Sequence, residues 1–249
     1  MGHKASEIGN DHAIIIKKQN FYMSFEFNHV CKSNSFSWIL QIFTVLKNKN
    51  REKRVPIPFF IVLLQNNMEY KETDIKGVWV IEPKVFNDAR GYFFEAWKKE
   101  EFESHIGSVN FVQDNESKSS RGVLRGLHYQ KGEFSQAKLV RVISGTVIDV
   151  AVDIRRSSPT FGRYVAVELS AENKRQLFIP RGMAHGFLVL SDEAVFTYKV
   201  DNVYAPQAEA SIRFDDPTIG IEWPIDPAEM LLSPKDQNGK SLQDAELFE

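Results

Sequence analysis

The stretch Ile148-Asp149-Val150-Ala151-Val152-Asp153-Ile154-Arg155 decides how the chain is read. Apolar side chains hold every even position while Asp149, Ala151 and Asp153 take odd ones, which is the two-residue period of a β-strand. One face of that strand belongs to a core, and the other is polar or lines a cavity. Similar segments recur on both sides of it. Downstream, after a turn built from Ser157, Ser158, Pro159 and Gly162, Val165, Val167 and Leu169 alternate again; upstream, Ala137 to Ile143 forms a run closed by Ser144-Gly145. From Gly77 onward short apolar runs are broken by turn residues, which predicts an all-β sandwich or barrel. One short helix is expected between Trp97 and Ile106, where Phe102 and Ile106 stand four apart on one face and would cover the sheet.

With 249 residues the chain has ample length to bury a core. Its formal net charge of -2 points to neither nucleic acid nor an anionic membrane as partner. That average hides a split, because residues 1 to 67 carry nine Lys/Arg against four Asp/Glu and the remainder is acidic. The one cysteine, Cys31, lies in the basic head, so the chain forms no internal disulfide, and a reducing cytoplasm fits. The most apolar runs, Phe36 to Leu46 and Val55 to Gln65, are short and interrupted for a spanning helix. The first twenty residues lack the apolar core of a cleavable signal. Residues 1 to 67 show no clear period and read as an N-terminal extension, poorly ordered or not native; residues 68 to 249 read as the folded domain.

Chemistry concentrates in Val123-Leu124-Arg125-Gly126-Leu127-His128-Tyr129-Gln130. A permanent cation and a group that titrates near neutrality suit an acidic ligand held beside a proton-transfer centre. Strand geometry would send Arg125 and His128 to opposite faces, unless Gly126 marks a bulge that turns both toward one cavity. Taken alone, the pair is equally a surface arginine and a hydrogen-bonded core histidine. Elsewhere, Phe86-Asn87-Asp88-Ala89-Arg90-Gly91-Tyr92-Phe93-Phe94-Glu95 presents Arg90 at a turn between aromatics, which is either an anion contact or an ordinary hairpin. Gln113 and Asn115 are turn residues or ligand contacts. Lys138 begins a strand that returns toward His128, and His185 sits between small residues as a ligand contact or a structural histidine. Tyr198 shares a strand face with Phe196 and Val200, where a buried phenol needs a partner and can donate a proton; Tyr204 is a less specific candidate of that kind.

Several motifs, in order, make the body resemble a known family. They are Phe86-Asn87-Asp88-Ala89-Arg90-Gly91, Gln113-Asp114-Asn115, Leu124-Arg125-Gly126-Leu127-His128, Ile179-Pro180-Arg181-Gly182-Met183-Ala184-His185-Gly186-Phe187 and Ser233-Pro234-Lys235-Asp236. From about Tyr70 to Phe248 the chain resembles the dTDP-4-dehydrorhamnose 3,5-epimerases. Phe214 and Ser211 depart from the family pattern, which more often has tryptophan and glycine there. The resemblance implies a cupin-like double-stranded β-helix, or jelly roll, with a few short peripheral helices. It also implies a homodimer and a dTDP-4-keto-6-deoxy-sugar substrate, with no redox cofactor and no metal. His128 would be the base, oriented by Asp236; Tyr198 would be the acid, and Lys138 would stabilise the enolate oxygen. Arg125 and Arg90, with Gln113 and Glu95, would hold the diphosphate and sugar. Phe86, Asn115 and Tyr204 match pocket-lining positions, and His185 would support the sugar site.

Three other readings compete. Relatives that invert only C3 or only C5 keep nearly the same constellation. A metal-dependent cupin needs clustered ligands, whereas His105, His128 and His185, the only histidines after residue 67, are far apart in sequence. A non-catalytic sugar-nucleotide-binding jelly roll would have no need for His128, Asp236, Lys138 and Tyr198 together.

Overall fold

The computed structural model describes residues 13–18, 21–26, 44–48, 51–55 and 68–249. Most of the head, and with it most of the expectation for residues 1 to 67, lies outside the described residues. Within it, β1 (Ala13–Lys18) pairs antiparallel with β2 (Phe21–Glu26), and β3 (Thr44–Asn48) with β4 (Arg51–Val55). The chain divides into two compact units, Met1–Asn66 and Asn67–Glu249.

In the second unit the two-residue periods become strands of two antiparallel sheets. One sheet has the order β13 (Tyr164–Ser170), β12 (Thr146–Asp153), β15 (Met183–Val189), β10 (Leu124–Gln130), β17 (Glu209–Ser211). The other runs β5 (Glu69–Glu72), β6 (Trp79–Glu82), β14 (Gln176–Ile179), β11 (Lys138–Ser144), β16 (Glu193–Val200), β9 (Gln113–Ser120). From β9 to β17 the chain thus changes sheet at every step except β12 to β13, as in a jelly roll. A short hairpin, β7 (Phe86–Asp88) and β8 (Gly91–Phe93), forms a sheet of its own.

The alternation in β12 has a reason on each face. Val147 and Ala151 pack between the sheets with Val140, Val142, Phe187 and Phe196, and Asp149, on the same side, is fully buried. Val150 and Val152 point the other way, under a layer that includes Ile219, Leu242 and Ala245. Both faces are therefore buried, and the aspartate side is the interior of the sandwich. The predicted helix is α1 (Lys99–His105), whose Phe102 is buried against Phe178 and Leu139 on the outside of the six-stranded sheet.

Past β17 the chain runs along the outside of the five-stranded sheet. Asp216 accepts bonds from the backbone of Thr218, Ile219 and Leu242. Tyr129 donates to the Glu246 carbonyl, and its ring meets Phe248 edge-on. A four-residue helix, α2 (Pro234–Gln237), is capped by Ser233, whose hydroxyl accepts from the Asp236 amide. This run brings residue 236 back to β10.

Candidate active site

Arg125 and His128 meet on one side of β10 because the strand carries an extra residue. Arg125 pairs with Phe187 and His128 with His185, three residues on β10 against two on β15. Such a bulge reverses the parity of everything beyond it. Gly126 sits within it at φ +140, a conformation that L side chains rarely adopt. A β-carbon there would also lie 2.9 Å from the His185 carbonyl oxygen, so the close approach of the two backbones demands glycine. The expectation drawn from Gly126 holds.

Asp236 meets His128 from the returning chain. Its Oδ1 lies 2.6 Å from His128 Nε2 and accepts from the Gly126 amide at 3.1 Å, while Oδ2 accepts from the Ser233 hydroxyl at 2.6 Å. Burial works to raise this carboxyl, but the bonds from His128 and Ser233 outweigh it and hold its pKa near about 2. The ionised carboxylate fixes the ring through Nε2, which leaves Nδ1 to take a proton. Around His128 is a hollow of about 410 Å³ lined by Arg125, Leu231, Leu232, Ser233, Lys235 and Asp236, among others. Arg125 is steadied by its Nε, which donates to Ser119 Oγ at 3.0 Å.

The six-stranded sheet supplies the groups opposite. Tyr198 stands on β16, in register with Val140 and Asn115, so all three share the interior face. Burial raises its phenol, and the charges of Arg125 and Glu209 both bear on it. Lys138 Nζ is 5.9 Å from the Tyr198 ring. Lys138 does not reach the site as a hairpin partner of His128, because β10 and β11 belong to different sheets. It faces the site from across the interior. Burial brings its pKa down to about 8, against the pull of Asp149 and Glu209. Gln113 Nε2 donates to Asn115 Oδ1 at 2.8 Å, a bond that ties the two amides together beside Tyr198.

His185, on β15, is buried and bonds Asp149 at 2.9 Å, and the charges of Lys138 and His128 both act on it. At the rim, Tyr204 donates to Glu209 Oε2 at 2.9 Å, and Lys235 pairs with Glu209 Oε1. Asp149, Glu209, Lys235, Ser119 and Ser233 were not singled out from sequence as site residues. Lys235 and Ser233 had a signal in their motif beside Asp236, and Asp149 had its place on the polar face of its strand. Glu209, in a short mixed strand, had none.

Phe86 and Arg90 are elsewhere in this chain. They line a separate hollow along the β7–β8 hairpin. Arg90 lies at the hairpin tip, 90% exposed, and pairs with Asp88. Glu95 follows β8, half-buried. Among the described residues, no group of three or more His, Cys, Asp or Glu side chains is placed to hold a metal ion.

The sequence profile described as dTDP-4-dehydrorhamnose 3,5-epimerase matches residues 72–244. The chain belongs to that family. A member from Shigella flexneri is 56% identical over 182 residues, covering 73% of this chain and 99% of the relative. A crystal structure of a family member from Elizabethkingia anophelis NUHP1 superposes with a TM-score of 0.69 at 53% identity, covering 72% of this chain and 98% of that one. The dTDP-6-deoxy-D-glucose-3,5-epimerase of Legionella pneumophila Philadelphia 1, solved with dTDP-4-keto-L-rhamnose, gives 0.70 at 49% identity over 72% and 95% of the two chains. The fold expected from the resemblance is the fold these epimerases share with this chain, and the head lies outside the matched region.

Proposed function

We propose that the chain is a dTDP-4-dehydrorhamnose 3,5-epimerase, converting dTDP-4-dehydro-6-deoxy-D-glucose to dTDP-4-dehydro-L-rhamnose. The observation that carries the reading is the His128–Asp236 contact beside a hollow, with Lys138 and Tyr198 close together on the opposite sheet. C3 and C5 of the 4-keto sugar both flank the carbonyl, so each hydrogen is a weak carbon acid. His128 removes the proton, and Asp236 balances the imidazolium that forms. The C–H electron pair moves into the carbonyl, and the ammonium of Lys138 compensates the oxyanion. Tyr198 returns a proton to the opposite face of the carbon, which inverts it. Since the donated and abstracted protons balance, the atoms call for no redox step. In this reading Arg125 meets the diphosphate.

The working unit we infer is a homodimer in the cytoplasm. Supporting the dimer is the β7–β8 hairpin, which exposes Tyr92 and Phe93 at 57% and 64%. It also carries Arg90 and Phe86 outside the His128 hollow of their own chain. A second copy would bring them to a site they otherwise miss. Among the described residues no helix is long and apolar enough to cross a membrane.

The test is proton exchange in deuterated water with the 4-keto-6-deoxyglucose nucleotide, followed by NMR at C3 and C5. Deuterium at both carbons, with reduction to the L-rhamnose nucleotide, is the expected result. Label at one carbon would replace the reading with a mono-epimerase, and no label would sink it.

A further inference from the structure

We propose that Ser119 is a positioning residue of this site: its hydroxyl holds the Nε end of the Arg125 guanidinium from the opposite sheet, so that the Nη1 and Nη2 end is presented to the diphosphate. The proposal rests on the epimerase reading for the identity of that anion, but the hold on Arg125 is measurable without any ligand.

Ser119 stands next to last on β9, the edge strand of the six-stranded sheet. Its pairing with Ala194 and the two-residue period give it the interior face that Asn115 also takes, and it is buried. Arg125 is the second residue of β10, in the five-stranded sheet. The 3.0 Å bond from Arg125 Nε to Ser119 Oγ therefore crosses from one sheet to the other. Neither end is free to drift. Between them the Arg121 amide donates to the Asp192 carbonyl and the Gly122 amide to the Val189 carbonyl, while the Val123 carbonyl accepts from Val189. The connection from β9 to β10 is thus clamped by its backbone, and the serine is a fixed post.

The chemistry of the guanidinium gives the bond its meaning. Arginine carries five N–H donors in a planar fork. Among the described residues the bond to Ser119 is the only hydrogen bond that the Arg125 side chain makes. Its four Nη donors stay unspent, on a side chain that lines the hollow around His128. Arg90, Arg155, Arg175, Arg181 and Arg213 are each paired with a carboxylate instead. An acidic partner would compete with an anionic ligand for the charge, whereas a neutral hydroxyl fixes the fork and leaves the charge to the ligand. Holding a long side chain in place ahead of binding also removes an ordering cost that the ligand would otherwise meet.

Ser119→Ala removes the acceptor and little else. Calorimetric titration with dTDP should show its affinity falling about 10-fold, the scale of one hydrogen bond to a charged group, and the change should appear in KM with kcat close to that of the parent. Ser119→Thr, which keeps a hydroxyl, should stay close to the parent. In an Arg125→Ala background Ser119→Ala should cost nothing more, because no guanidinium is left to hold. An equal loss in both backgrounds would overturn the proposal by making the serine merely structural, as would an unchanged affinity in Ser119→Ala. The Nε–H resonance of Arg125, identified by its loss in Arg125→Lys, gives a readout without ligand: its exchange with solvent should be slow in the parent and fast in Ser119→Ala. Equal exchange in the two would also overturn the proposal. Should Ser119→Ala not fold, the unsubstituted protein decides, since Nε–H exchange as fast as in free arginine overturns the proposal and protection supports it. If Arg125→Ala binds dTDP as tightly as the parent, the role given to Arg125 in the epimerase reading fails, while the Nε–H exchange still tests the hold of Ser119 upon it.

Discussion

Asp236 Oδ1 lies 2.6 Å from His128 Nε2, and the two residues are 108 positions apart. The contact closes a loop that begins at the bulge in β10 and ends at the short helix carrying Asp236. Its purpose in the proposed reaction is to fix which ring nitrogen takes the proton. Asp236→Asn should preserve the shape and lose the charge, lowering kcat by about 10²–10⁴-fold, the usual worth of a positioned acid or base. Initial rates of deuterium entry at C3 and C5 measure it, and a variant within a few-fold of the parent would remove Asp236 from the mechanism.

Tyr198 and His128 serve opposite faces of the sugar in this reading, so their losses should differ in kind. His128→Ala should abolish solvent exchange and inversion together. Tyr198→Phe should still exchange protons through the imidazole while inversion falls by roughly 10²-fold or more. Comparing deuterium content with product stereochemistry separates the two. Equal loss of both readouts in Tyr198→Phe would mean that the phenol is not the terminal donor.

Gly126→Ala meets two obstacles, a positive φ and the backbone of β15. The strain costs about 1–3 kcal/mol before any steric adjustment. Urea unfolding should show the loss, and activity should fall further than stability explains because the parity of Arg125 and His128 depends on this residue. A variant as stable and active as the parent would show that the bulge tolerates a side chain.

Acid stability should depend on two buried carboxylates. Bonds from Arg155, Ser158 and Thr160 overcome burial and hold Asp153 at about 2, as His128 and Ser233 hold Asp236. Both folded values lie below the ordinary aspartate value of 3.8, so their contribution is present above about pH 4 and is lost as pH falls toward about 2. Asp153→Asn should lower stability at pH 7 by about 3 kcal/mol, the scale of breaking a buried pair, and should flatten the slope between pH 4 and 2. Denaturant midpoints across that range provide the check.

If the β7–β8 hairpin completes the site of a second copy, variants of the two regions should complement. Arg90→Ala and His128→Ala, each inactive alone, should regain part of the parental activity when refolded together, because one of the two sites in a mixed dimer is then intact. No recovery in a mixture proven dimeric would confine both residues to one chain's site.

Much of this was legible in the sequence because strands write their faces every second residue. Ile148 to Arg155 gave both the strand and its aspartate face, and Gly126 announced the bulge. The helix near Phe102 was visible for the same reason, a repeat of its own period. Periodicity cannot say which strand of the other sheet lies opposite, and so Lys138 was expected beside His128 along a returning strand when it faces it across the interior. The partnership of Asp149 with His185 is set by strand pairing between residues 36 apart, and that of Glu209 with Lys235 by the path of the returning chain. Asp236 was reached through its motif, since nothing local ties a carboxylate in a turn to a histidine so far upstream.

The returning run from β17 onward carries Asp236, yet it contributes no strand to either sheet beyond β17. It is fastened by backbone bonds of Leu231 to Gly122 and Leu124 and of Phe248 to Arg156, by Tyr129, and by the packing of Leu242 and Phe248. Warming or a protease cut near residue 220 should therefore release the general base's anchor while the sandwich stays intact. Turnover would then vanish below the temperature at which the sheets melt, and the enzyme would report on the attachment of its own outer wrapping.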